Sequence, residues 1–456
     1  YPRGCIEQVT STVFAQLFLS DILELDARTK SSIDNHIKNG ISKISSFQLS
    51  NGGFSYWPGQ YQESSWGSSY AGHFLLEAES KGYVLPSGLK SSWLRSQKQQ
   101  ARQWKPVQNQ DKYRQDDLEQ AYRLYTLALS GAPETGAMNR LRETKGLSRQ
   151  AKWRLAAAYA LSGQMPVAKE MVNMEDTDIQ EYAGFYSSYG SRERDWAMIL
   201  ETMTLLNDKA RGSILARKIS EQLSSARWMS TQTTAYCLLA MAKFGRGNTS
   251  EKLEFSYKLD NGKSVKITSG KSIVQLELSV ARKAAKGQVE IRNHGNGIIF
   301  TRIIMEGTPL AGKEEDFSNQ LSLGVSYTTI DGKPIDISEV TQGTDFLALV
   351  SVYNSGDFDF RDLALTRIFP PGWEIANARM ADINLPGKTN YSYQDIRDDR
   401  VITYFDLMRS EKKSFTVLLN ASYLGQFYLP GVYCEAMYDN SVAAMRKGRQ
   451  VKVITP

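Results

Sequence analysis

Two different periods of apolar residues divide the chain. Up to about residue 246 they recur at the spacing of one helix face. Behind Thr10 or Ser11 as an expected N-cap, Val13, Phe14, Leu17, Phe18, Ile22 and Leu25 line such a face. The segments SSYAGHFLLEAESKG, EQAYRLYTLALSG, AKWRLAAAYALSG and TTAYCLLAMAKFG behave alike, each ending on a glycine (Gly82, Gly131, Gly163, Gly245) suited to a helix C-terminus. Their repetition predicts roughly eleven or twelve helical segments, the number that closes a ring of about six hairpins. From about Leu253 the period becomes two. LEFSYKLDNGKSVKI predicts a hairpin around Asn261-Gly262, and SIVQLELSV alternates with Val274, Leu276, Leu278 and Val280 on one face. DFLALVSVY, RVITYFDL and SFTVLLNASY follow between Gly, Pro, Asn and Asp turns, as strands of a β-sandwich do. The expected fold is therefore an N-terminal α/α toroid followed by antiparallel β modules, with a break in the stretch EGTPLAGKEEDFSNQ.

Composition narrows the function classes. The 456 residues are 41% hydrophobic and 23% charged, the balance of a globular protein of two or three domains. No apolar run is long enough to span a bilayer as a helix. The net charge of +6 is spread along the chain without basic runs interleaved with aromatics, so nucleic acid is not an expected partner. Cys5, Cys237 and Cys434 are too few and too scattered for a disulfide framework, and with His36, His73 and His294 they offer no metal-ligand spacing. Neither a metal nor a cofactor is expected.

Chemistry concentrates in YPRGCIEQVTS, Tyr1 to Ser11. A cysteine three residues before a glutamine, across one tight turn, can bring sulfur to the glutamine carbonyl. Condensation with loss of ammonia gives a thioester, an electrophile that acylates an arriving amine or hydroxyl. Gly4 permits an unusual backbone angle and Pro2 stiffens the approach. Such a bond needs water excluded, and Tyr1, Trp57, Trp66, Tyr70 and Tyr122 are the candidate aromatic shell, beside Gly4 and Glu7 within the motif. The plain alternative is a buried, inert cysteine.

The segment resembles the thioester motif of the bacterial alpha-2-macroglobulin-like family, with Val9 where threonine is commoner. NGGFSYWPG, SSWGSSYAGHFLLEA, DDLEQAYRLYTLALSG and WMSTQTTAY are similar to later parts of that family's helical ring. PPGWEIANARM, DIRDDRVITYFDL and GVYCEAMYDN are similar to its C-terminal β-domain. The resemblance implies a thioester-containing toroid over 1–247, a partial CUB-like β module over 248–315 and a macroglobulin-like β-sandwich over 316–456. It implies a fragment of a broad-spectrum endopeptidase inhibitor, not an enzyme, in which Cys5 and Gln8 form the thioester pair. The implied partners are target endopeptidases, held covalently through lysine amines, and upstream macroglobulin domains of the same chain. The implied location is extracytoplasmic, with membrane association only through a missing N-terminal region. Complement-type members use a histidine to favour hydroxyl acceptors. The segment QARQWKPVQNQDKYRQDD, where it is expected, carries none, which implies direct attack by amines; His73, on a predicted helix among Phe74, Leu75 and Leu76, is expected to have a packing or surface role.

Two other readings stand beside this one: covalent attachment to surface hydroxyls, as by an adhesin or opsonin, and a helical-ring enzyme acting on terpenoids or carbohydrates. The second would use Asp116 and Asp117, whose simpler place is the first turn of a helix. Asp395, Asp398 and Asp399 beside Arg397 and Arg400 are expected to form an ion-paired turn rather than a calcium loop.

Overall fold

The computed structural model describes residues 4–106, 115–182, 187–225, 227–246, 252–260, 262–271, 273–277, 287–295, 299, 301–304, 312–376 and 390–456. It divides into two compact units, Tyr1–Ile303 and Ile304–Pro456.

The first unit is a closed double layer of helices. Its described helices are α1 (Ile6–Leu17), the single turn α2 (Leu19–Ile22), α3 (Ala27–Ser45), α4 (Ser65–Ser80), α5 (Leu89–Gln103), α6 (Asp116–Leu129), α7 (Thr135–Glu143), α8 (Arg149–Leu161), α9 (Met165–Val172), α10 (Arg192–Leu205), α11 (Lys209–Ser224) and α12 (Thr231–Arg246). Helices α1, α4, α6, α8, α10 and α12 each pack on the next, and α12 returns to α1. The others lie outside them, α5 against α4 and α6, α11 against α10 and α12. Burial follows this plan. In α4 every residue from Trp66 to Ala78 is buried, whereas α3 buries only Ile37, Gly40, Ile41 and Ile44. An inner helix touches neighbours all round, while an outer one has a single apolar stripe.

Gly82, Gly131 and Gly163 adopt the left-handed conformation that ends α4, α6 and α8. Gly245 instead lies inside α12, which continues to Arg246. Helix α1 also begins earlier than the apolar pattern indicates. Its N-cap is Cys5, not Thr10 or Ser11, because the Cys5 and Gln8 side chains supply the cap that hydroxyls were expected to give.

Strands β1 (Leu253–Leu259), β2 (Val265–Ser269) and β3 (Val289–Asn293) form a small antiparallel sheet with β1 central, and β1–β2 is the expected hairpin. The expected SIVQLELSV strand does not form where it is described. Ile273 makes one bridge, to Leu23, while Val274 to Glu277 are irregular, and the remainder lies outside the described residues. That bridge, with Ile273 N–H donating to Ile22 O at 3.0 Å, ties the small sheet to the ring.

The second unit holds β4 (Phe317–Asn319), β5 (Leu321–Thr329), β6 (Glu339–Thr341), β7 (Asp345–Asn354), β8 (Phe360–Ile368), β9 (Trp373–Ile375), β10 (Tyr393–Ile396), β11 (Arg400–Leu407), β12 (Lys412–Ala421), β13 (Gly425–Leu429), β14 (Val432–Ala436), β15 (Asp439–Arg446) and β16 (Arg449–Ile454). They make sheets in the orders β10-β11-β8-β14-β15-β4, β5-β7-β12-β9 and β13-β16-β6, antiparallel except for β16 with β6. Phe346, Trp373, Leu419 and Val451 belong to one apolar cluster inside this unit. Arg367 is also buried there, donating to Thr403 Oγ1 at 3.0 Å and to the Phe415 carbonyl at 3.3 Å. The DIRDDR turn is ion-paired as expected, Arg397 to Asp395 and Arg400 to Asp399.

Candidate functional site

The Cys5–Gln8 turn is built by a reciprocal cap. Gln8 N–H donates to Cys5 Sγ at 3.5 Å, and Cys5 N–H donates to Gln8 Oε1 at 3.4 Å. Two free helix-end donors are thereby satisfied, and sulfur and carboxamide are held at the same end of α1. Gly4 makes this possible. Its φ is +103°, and a Cβ there would stand 2.0 Å from Gln8 Oε1 and 3.0 Å from Gln8 Cδ. Cys5 has no exposed surface, while Gln8 is part-exposed. Beside them, the Ile6 N–H donates to Tyr56 O at 3.0 Å, so the loop from Phe47 to Ser64 sits against the start of the helix.

Glu7 points inward and is fully buried. Ser11 Oγ donates to its Oε1 at 2.5 Å and Thr231 Oγ1 does so at 3.3 Å, while Ser11 also meets Tyr70 OH at 3.0 Å. The first and last inner helices therefore meet at this carboxylate. Asp117 bonds the Ser148 N–H at 2.7 Å, joining the starts of α6 and α8, and Ser191 bonds Thr233 at 2.7 Å, joining those of α10 and α12. These bonds place the N-terminal ends of the inner helices at one end of the ring, with Cys5 among them.

The expected aromatic shell separates into two groups. Trp57, next to Tyr56, lies in the loop on the start of α1 and is buried. Trp66, Tyr70 and Tyr122 instead line the ring interior: Trp66 packs on Tyr122 at 4.8 Å and Tyr70 stacks on Tyr236 at 5.4 Å. Tyr1 lies outside the described residues. Arg194, buried with its guanidinium 4.5 Å over Trp66, bonds Gln232 Oε1 at 2.6 Å, Ser188 O at 3.1 Å and Asp195 at 2.7 Å. Tyr56, Thr231 and Tyr236 lie in the segments NGGFSYWPG and WMSTQTTAY that carry the resemblance, though no spacing singles them out, and Arg194 lies outside any such segment. Ser11 had a signal, since it lies one helical turn after Glu7.

His73 is buried on the ring axis, as a packing role requires. Its Nδ1 meets Tyr122 OH at 3.0 Å, and its ring stands edge-on to Phe14 with centroids 5.0 Å apart. Its Nε2 lies 3.5 Å from Glu77 Oε1 and 3.7 Å from Glu201 Oε1. These three groups have the makings of a metal site. Lys243 already supplies the cation, its ammonium bonding Glu77 and, at 2.7 Å, Glu201. Arg154 adds a second, bonding Glu201 Oε2 at 2.8 Å. Burial pushes Glu77 up, but the charge of Lys243 and the His73 hydrogen bond outweigh it and bring its pKa down to about 2. Burial lowers that of His73, keeping the imidazole neutral near pH 7. This node ties α4, α8, α10 and α12 together.

Residues 1–150 match the A-macroglobulin TED domain family and residues 321–440 the bacterial alpha-2-macroglobulin MG10 domain family, more than half of the chain between them. The chain belongs to the bacterial alpha-2-macroglobulin-like family. An alpha-2-macroglobulin homolog of Yersinia pestis is 23% identical over 508 residues, covering 100% of this chain and 24% of its own length. The native Escherichia coli alpha-2-macroglobulin structure from domain MG7 to the C-terminus superposes with a TM-score of 0.76 at 19% identity, over 100% of this chain and 74% of that one. The Salmonella protein reacted with methylamine gives 0.79 at 21% identity, over 100% of this chain and 30% of that one. The chain spans about a quarter of the length of the curated alpha-2-macroglobulins it matches.

Proposed function

We propose that this chain is the reactive C-terminal part of a protease-trapping alpha-2-macroglobulin, and that Cys5 and Gln8 are its thioester pair. The reciprocal cap between these two side chains is the observation that carries the reading, because it holds sulfur and carboxamide at one helix end before any bond forms. Cys5 Sγ would attack Gln8 Cδ, forming the S–C bond, while the thiol proton goes to the departing nitrogen and ammonia leaves. The Cys5 N–H, directed at Gln8 Oε1, is placed to stabilise the oxyanion of that step and of the later one. In the later step a neutral lysine amine attacks Cδ, the Cys5 thiolate leaves and takes up the amine proton, and an isopeptide bond remains. The leaving thiolate stays at a helix N-terminus, where negative charge is favoured. The chain reacts once and regenerates nothing, so it is not an enzyme.

The family reading extends further. The division into a toroid over 1–247, a partial CUB-like module over 248–315 and a sandwich over 316–456 accords with the change from helices to sheets. Endopeptidases are the partners, upstream macroglobulin domains precede this part, and the protein acts outside the cytoplasm. With His73 occupied by Tyr122 inside the ring, amines attack directly. The intact mass of freshly purified protein, with and without methylamine, tests the chemistry. It should lie below the sequence mass by one ammonia, rise by one methylamine on treatment and release one thiol, with Cys5→Ala showing neither change. A plain sequence mass with Gln8 unaltered would remove the thioester from the account.

A further inference from the structure

We infer that the outer face of α5 is a docking surface for a bilayer with anionic headgroups, a contact separate from the reactive turn and independent of the thioester. From Ser80 to Gln110 the chain has Lys81, Lys90, Arg95, Lys98, Arg102 and Lys105 and no aspartate or glutamate. With 49 acidic residues among 456, a stretch of that length would ordinarily hold about three. Folding then sorts these cations onto one side. Leu89, Trp93, Ser96, Gln97 and Ala101 are the buried stripe of α5. Trp93 locks it onto α4: its Nε1 donates to Ser68 O at 2.8 Å, and its ring fills the place where a Cβ on Gly72 would stand, 2.0 Å from Trp93 Cζ2. On the opposite side Arg95, Lys98 and Arg102 follow at three and four residues, a single line about 10 Å long. Lys105 continues it just past the helix end. Arg95, Arg102 and Lys105 are exposed and Lys98 half-exposed.

Little of this charge is neutralised within the molecule. Glu134 pairs with Arg102 at 2.8 Å, and Glu79 pairs with Lys90. Arg95, Lys98 and Lys105 pair with no carboxylate among the described residues. Nor does the helix end offset them. Arg140 Nη2 donates to Ala101 O at 3.2 Å and to Arg102 O at 3.1 Å, so carbonyls of the last turn, the negative end of α5, already face a cation. The chemistry of the face selects the partner. Ser91, Gln99 and Gln103 stand among the cations, and no large apolar side chain of α5 is exposed, so a protein partner would find no anchor. Trp93 is buried and Trp104 half-buried, so the stacking platform that nucleic acid needs is missing. A bilayer needs neither. Its headgroup phosphates are laterally mobile and can gather along a row of long, flexible cations held within a Debye length of the surface.

The test is co-sedimentation of the full chain with vesicles of phosphatidylglycerol or of phosphatidylcholine at about 10 mM salt. The parent should partition onto phosphatidylglycerol and not onto phosphatidylcholine, and should come off at about 0.5 M salt. Each lysine or arginine held near an anionic surface contributes about fivefold to partitioning. Lys98→Gln should therefore weaken it about fivefold, and the combination of Arg95→Gln, Lys98→Gln and Lys105→Gln about 100-fold, with the thermal midpoint unchanged. Arg28→Gln, Lys30→Gln and Arg217→Gln together remove the same charge from exposed positions on α3 and α11, and that variant should bind as the parent does. Failure of the parent to bind phosphatidylglycerol, or an equal loss in the α3 and α11 variant, would overturn the docking surface. Capture of the parent by soluble poly-glutamate in preference to vesicles would also overturn it, in favour of an acidic protein.

Discussion

At the scale of single residues, Gly4 governs the site. It has the one backbone angle and the one empty Cβ position that let the Gln8 carboxamide fold back toward Cys5. Gly4→Ala should destabilise the first turn of α1 by about 1–3 kcal/mol and abolish the ammonia deficit in the intact mass. An unchanged mass deficit would show that the turn can relax around the added methyl. The motif made this legible, since a glycine before Cys-x-x-Gln has few other reasons to be there. The sequence did not reveal that Cys5 is itself the N-cap. Hydroxyls two and three residues after Gln8 looked like better caps, and only the backbone course before Ile6 decides between them.

Among the elements, the charged node at Lys243 joins four helices through buried ion pairs. Lys243→Met would leave Glu77 and Glu201 facing a neutral imidazole, with Arg154 as the remaining close cation, and should cost about 3 kcal/mol in unfolding free energy. Chemical denaturation measures this directly, and a loss under about 1 kcal/mol would mean that the carboxylates rehydrate or find other donors. The same node sets an acid limit. His73 has a pKa lowered below 6.5 in the fold, so the unfolded chain takes up its proton first and stability falls as the pH drops below that value. Glu77, ordinarily near 4.5 and here about 2, contributes stability that is present above 4.5 and disappears as the pH falls toward 2. Thermal midpoints recorded from pH 7 to pH 2.5 should decline across both windows, and Glu77→Gln should flatten the lower one. The helices themselves were readable from spacing, as were the strands at DFLALVSVY, RVITYFDL and SFTVLLNASY. SIVQLELSV was misleading because alternation only shows that a strand could be half-buried; pairing needs a neighbour, and among the described residues Ile273 finds only a single bridge.

For the whole molecule, the two compact units make separate predictions. Residues 304–456 have their own apolar cluster and paired sheets, so expressed alone they should unfold cooperatively, with β-type circular dichroism. In that unit Arg367 is buried without a carboxylate bonded to it among the described residues, and burial brings its pKa down to about 9. Arg367→Met should therefore be neutral or stabilising, by up to about 2 kcal/mol, because a desolvated charge is removed at little loss of packing. A marked drop in the melting temperature of the unit would refute this. Ring closure was legible only as a count of helices. That α12 completes the surroundings of α1 depends on contacts between residues at opposite ends of the helical half, which no local pattern encodes.

The bond from Thr231 to Glu7 spans 224 residues of sequence, and this distance is also an interval of time. A ribosome adding 5–20 residues per second needs roughly 10–45 s to go from one partner to the other. Throughout that interval the newborn cysteine waits in an unfinished ring, without the last helix that encloses its neighbouring carboxylate. Thiol oxidants and alkylating agents encountered then would compete with folding. Pulse-labelling of the nascent chain should accordingly find Cys5 reactive until α12 emerges and protected afterwards.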